Sequence, residues 1–108
     1  MESEDDFGKS LIRTIDVHLK QVFGEPGASI IYQYLQSTLS LRQEEIPTKL
    51  EAFSEGLNKF LSSGARVVEK VILDGLYSDF GREFQFKEGY NFADYVEELK
   101  KAAKRPSK

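Results

Sequence analysis

Histidine, serine and the carboxylates are the side chains here that could do chemistry, and their spacing argues against it. His18 is the single histidine. It falls on the flank of a helical pattern, three residues after Ile15 and four before Val22, where a half-buried boundary side chain is the simpler role. Asp16 is close in sequence, but helix positions two apart face different sides, so the pair does not make a base with its orienting acid. No Gly-x-Ser-x-Gly elbow presents a serine. Gly24-Glu25-Pro26-Gly27 could aim a helix N-terminus at an anion, yet it lacks the lysine and hydroxyl of a P-loop, and Glu25 would repel a phosphate. It reads as a turn. The chain has no cysteine, which removes disulfides, thiolate metal sites and thiol nucleophiles. Asp74, Asp79 and Glu83 are dense enough to suggest a cation but lack the alternating oxygen spacing of an EF-hand. Glu44-Glu45 and Glu97-Glu98 read as solvated faces. The expectation is a non-enzyme with no catalytic, cofactor or metal residues, calcium binding being kept as one alternative.

The elements that would have to position any site are those of one small domain. The 108 residues suit a single core, and 40% hydrophobic with 31% charged residues is ordinary for a globular chain. The net charge of -3 does not favour nucleic acid, and no specific nucleic-acid contact is expected. Charge is concentrated at the ends. Glu2, Glu4, Asp5 and Asp6 open the chain, and Lys100, Lys101, Lys104, Arg105 and Lys108 close it. The expected organisation is an unstructured acidic tail over 1–8, a helical domain over 9–104, and a basic tail over 105–108 that could touch an anionic surface weakly. No apolar run is long enough for a transmembrane segment, and the polar N-terminus is unlike a signal peptide, so a cytoplasmic location is expected.

Apolar residues recur at spacings of three and four. Leu11, Ile12, Ile15, Leu19, Val22 and Phe23 predict a helix over 9–23, closed by a left-handed Gly24. Pro26 suits the first turn of a second helix over 26–39. Ser40 with Gln43 and Thr48 with Glu51 read as capping boxes, the second opening a helix over 49–62. Ile46, before Pro47, is expected to be extended. Gly64 separates that helix from one over 65–80, in which Gly75 suggests a close helix crossing. Glu83 to Lys87 alternates with period two and reads as a loop pinning Phe84 and Phe86 to the core. Asn91 with Asp94 caps a last helix over 92–104, with Phe92, Tyr95, Val96, Leu99 and Ala103 inward and Glu97 paired with Lys101. These make a compact, all-α, five-helix orthogonal bundle.

The second and fourth of these helices are apolar over more than one stripe. Their extra flanks, including Tyr32, Tyr34, Leu73 and Tyr77, either pack inside the bundle or form an interaction face for a protein partner or a second copy.

Val22-Phe23-Gly24-Glu25-Pro26-Gly27-Ala28, with Ile31-Tyr32 and Leu35, resembles the Nitrosopumilus output domain family of the fifth type, an archaeal domain family of unknown function. So do Glu45-Ile46-Pro47, Phe53-Ser54-Glu55 with Leu57, Gly64-Ala65, and Glu69-Lys70 leading to Ile72, Leu76 and Tyr77. The likeness spans about residues 13 to 81. It implies an all-helical, saposin-like arrangement without disulfides and a regulatory, output-type role in signalling, with no catalytic residues to carry over. A lipid or small apolar ligand binder of saposin-like type is the alternative that the arrangement implies.

Overall fold

Glycine decides the shape of the first element. In a computed structural model describing the backbone of residues 3–104, α1 (Ser3–Leu39) bends sharply at Gly24, which takes φ 76 and ψ 169. Only glycine reaches that conformation without strain. The size of the bend follows from one hydrogen bond. The Tyr32 hydroxyl donates to Asp16 Oδ1 at 3.0 Å. Along a straight helix these residues would stand about 24 Å apart, beyond the roughly 10 Å their side chains can span together. The two arms, 3–23 and 25–39, therefore fold back toward each other as a helical hairpin. A straight helix of this length would also measure about 55 Å, more than the longest dimension of 43 Å. The two predicted helices are present, joined more tightly than a loop would join them.

The chain leaves α1 at Ser40 (φ 54), and the buried Leu41 donates its N–H to the Leu35 carbonyl. A 3-10 turn, Gln43–Thr48, follows, then α2 (Leu50–Leu61), α3 (Gly64–Asp79) and α4 (Phe92–Lys104). The two arms of α1 with α2, α3 and α4 make five α-helical segments, the 3-10 turn being a sixth helical piece, and no strand occurs among the described residues. One core runs through them all, centred on Leu11, Ile15, Leu19, Ile31, Leu35, Phe53, Leu57, Ile72 and Leu76, with Val96 and Leu99 from α4. No helix among the described residues is long and apolar enough to cross a membrane.

Two crossings are close because glycine permits them. A Cβ on Gly75 would run into the imidazole of His18, which places the face of α3 against the leading arm of α1. A Cβ on Gly56 would collide with Leu35 and meet Leu39 at 2.9 Å, so α2 packs equally tightly on the trailing arm. His18 is half-buried, as expected, and its Nδ1 lies 2.9 Å from the Thr14 carbonyl. One turn away the buried Thr14 hydroxyl donates to Asp79 Oδ2 at 2.8 Å. These contacts make a polar seam in an otherwise apolar interface.

Several expectations need correction. The stretch to residue 8 is helical from Ser3, and Phe7 is buried with its ring 5.3 Å from that of Phe80. Burial of that aromatic holds the acidic segment to the bundle. The basic tail 105–108 lies outside the described residues. Ile46 is not extended: it sits inside the 3-10 turn, fully buried, and the gain from burying it outweighs the pre-proline preference. The expected capping boxes at Ser40 and Thr48 do not form. Instead Glu45 Oε1 accepts the Arg42 N–H at 3.0 Å, which holds the Glu45 carboxyl below its ordinary range, and the Thr48 hydroxyl donates back to the Glu45 carbonyl. The Asn91–Asp94 box is present as expected, with reciprocal bonds of 2.8 and 3.0 Å. Ala103 is exposed, because α4 runs past the end of the core. Val22, which periodicity places on the inward stripe of the first helix, is also exposed, as are Ile30 and Val67 from the wider apolar sets of the trailing arm and α3.

Candidate functional site

The four residues of the predicted face do not share one surface. Tyr32 and Tyr34 lie two apart on one helix and so point to different sides. Tyr32 is tied to Asp16, and Tyr34 packs on Phe60 with ring centroids 4.9 Å apart. Burial, with Asp16 beside it, pushes the Tyr32 phenol well above its usual range. Leu73 is buried, and Tyr77, one turn on, donates its hydroxyl to the Tyr95 carbonyl at 2.8 Å. Burial raises the Tyr77 phenol to about 12. Much of the apolar surplus is thus spent inside the bundle.

Leu73 nevertheless leads to a real concavity. A groove of about 520 Å³ lies among α2, α3, the loop over 80–91 and the start of α4. Its walls are Ser54 and Asn58 from α2, Arg66, Glu69, Lys70 and Leu73 from α3, Phe84, Phe86, Tyr90 and Asn91 from the loop, and Phe92 and Tyr95 from α4. A shallower, more polar trough, with Glu51, Glu55 and Lys59, continues it past Ser54, Asn58 and Asn91. Periodicity assigned both loop phenylalanines to the core. Phe84 does pack inward, 4.9 Å from the Tyr95 ring and edge-on to Tyr77 at 5.5 Å. Phe86 does not: it is 80% exposed on the groove's lip.

The backbone beside Phe86 is held firmly. The Tyr95 hydroxyl accepts the Lys87 N–H at 2.8 Å and donates to the Lys87 carbonyl at 3.0 Å. The Lys87 ammonium pairs with Glu98 Oε2 at 2.7 Å. This bridge holds the Glu98 carboxyl below its ordinary range, with the Tyr90 hydroxyl helping, while the expected Glu97–Lys101 pair does not form among the described residues, both side chains being exposed. Among the described residues the buried Oε1 of Glu98 has no hydrogen-bond partner. The exposed ring of Phe86 is therefore presented by a pinned loop.

Glu69 supplies the groove's charge. It is half-buried, and the Ser54 hydroxyl donates to its Oε2 at 2.6 Å. Burial pushes the carboxyl above the usual range, outweighing the opposing pull of Ser54 and of the Arg66 charge. Lys70 pairs with Asp74 at 2.9 Å and also lies over the Phe84 ring, 5.8 Å from its centroid. The sequence held no sign of this site as a unit, because its residues come from four segments with different periodicities.

The acids weighed as an alternative cation site do not gather. Asp79 is bonded to Thr14, Asp74 to Lys70, and no group of three metal-ligating side chains occurs among the described residues. No protein-family model, curated protein or solved structure matches the chain.

Proposed function

We propose that this chain is a protein-interaction module of regulatory type, which docks a segment of a partner protein in the groove among α2, α3 and α4. Phe86 carries the reading. Leaving a phenylalanine largely in water forgoes roughly 1.5–3 kcal/mol of burial. A loop that merely closed off the fold would turn that ring inward beside Phe84. Here two hydrogen bonds from Tyr95 fix the neighbouring residue so that the ring stays on the lip. Such preorganisation lowers the ordering cost of binding, and a partner that covered the ring would recover the burial it now forgoes. The resemblance to an archaeal output-domain family points the same way, since its members occur joined to signalling modules as well as free-standing. In this reading the helices take a saposin-like arrangement, the protein works in the cytoplasm, and it binds rather than catalyses.

Selection from a random twelve-residue peptide display library tests the proposal. Enriched peptides should share an apolar anchor and lose binding to a folded Phe86→Ser variant. Enriched peptides indifferent to that variant would remove the groove from the account. Light scattering from micromolar to millimolar concentration separates a foreign partner from a second copy, because self-association through the groove would weaken in the same variant.

A further inference from the structure

Resting on the reading of this groove as a docking surface, we infer that it receives a basic side chain, the guanidinium or ammonium group of a protein segment, between the rings of Phe84 and Phe86 and the carboxylate of Glu69. Three features of the groove converge on that occupant. Its ring faces accept cations: the protein's own Lys70 ammonium lies 5.8 Å from the Phe84 centroid, and that of Lys87 lies 5.4 Å from the Tyr90 centroid. Both distances fall within the range at which a ring quadrupole attracts a positive charge.

Glu69 is the second feature. Its half-buried side chain lines the same groove as those rings, with the Ser54 hydroxyl as a donor. Burial raises its proton affinity, so the nearby positive charge does not make up for lost water. Arg66 is exposed, and Lys70 is answered by Asp74 at 2.9 Å. An incoming cation would meet the demand those two leave open. The third feature is shape. Leu73 and Phe92 offer an apolar wall for the methylene stem of a long basic side chain. A net charge of -3 draws cationic segments at longer range. An acidic segment could reach Arg66 only by bringing a second negative charge toward Glu69.

Amide-resolved NMR titration with three small probes tests this. They are Nα-acetyl-arginine amide, its neutral counterpart Nα-acetyl-norleucine amide, and Nα-acetyl-glutamate amide. The arginine probe should shift amides around Glu69 and Phe84–Phe86, and bind about fivefold or more tightly than norleucine. Glu69→Gln, whose own spectrum reports its fold, should erase that advantage while leaving norleucine binding unchanged. Equal binding of arginine and norleucine, both weakened by Phe86→Ser, would overturn the basic occupant and leave the docking groove standing. Tighter binding of the glutamate probe would overturn it in favour of an acidic partner. Groove amides unmoved by every probe would remove both inferences.

Discussion

Replacing Gly75 by alanine gives the sharpest test of the helix crossing that orients α3, the helix supplying Glu69 and Leu73 to the groove. Two effects oppose each other. Alanine is better than glycine inside a helix by about 0.8–1.0 kcal/mol. The new methyl, however, would land on the His18 ring, which is half-buried and anchored to the Thr14 carbonyl. Overpacking of this kind costs about 1–3 kcal/mol. The net expectation for Gly75→Ala is a loss of up to about 2 kcal/mol. In a His18→Ala background the obstacle is gone, and the same substitution should instead stabilise by up to about 1 kcal/mol. The coupling between the two sites is then about 1–3 kcal/mol. Urea denaturation of the four proteins, followed by far-ultraviolet circular dichroism, measures it. For a domain of this size each kcal/mol corresponds to about 4–8 °C in Tm, so the reversal of sign is readable by heating as well. Additive effects, with Gly75→Ala acting alike in both backgrounds, would refute the crossing.

Three further substitutions examine the parts that hold the groove. Gly24→Ala forces a side chain into φ 76, ψ 169 and should destabilise by about 1–3 kcal/mol; an unchanged denaturation midpoint would mean the hairpin bend lies elsewhere. Tyr95→Phe removes both hydrogen bonds to Lys87 and should cost about 1–3 kcal/mol. It should also speed hydrogen exchange at the Lys87 amide, and unaltered exchange there would show that the loop is held by other contacts. Glu69→Gln concerns pH. Because the folded carboxyl binds its proton more tightly than the unfolded one, wild-type stability at this site is full below the ordinary carboxylate value, about 4.3, and is lost as pH rises through the raised folded value. The variant should therefore melt above wild type at neutral pH and level with it in acid; a variant less stable at pH 7 would reverse the sign.

Local chemistry was the legible part of this chain. The Asn91–Asp94 box and the stripe Phe92, Tyr95, Val96, Leu99 fix α4, because cap and periodicity agree there. Gly24 and Gly75 both signalled backbone geometry that is present. Composition misled at the N-terminus. Glu4, Asp5 and Asp6 resemble a solvated tail, although acids after a serine also favour a helix start, and Phe7 supplied an anchor. Val22 lies outside the core although it shares the inward stripe, and the wider apolar sets leave Ile30 and Val67 in solvent, since periodicity shows which residues share a face but not how much of it a neighbour covers. The groove was illegible for a different reason. Glu69, with Ser54 fifteen residues before it, has a solvent-face appearance in sequence, and only the packing of α2 on α3 brings the pair together. Phe86 follows the same alternation as Phe84, and the Tyr95–Lys87 hydrogen bonds, which no pattern encodes, leave it outside.

The most direct measurement is an amide shift map of the isotope-labelled protein saturated with the tightest peptide from the display selection. Docking in the groove predicts the largest changes along Arg66–Leu73 and Phe84–Phe92, with intermolecular contacts to the Phe86 ring. Changes centred instead on the exposed Val17, Val22 and Ile30 of the helical hairpin would contradict it.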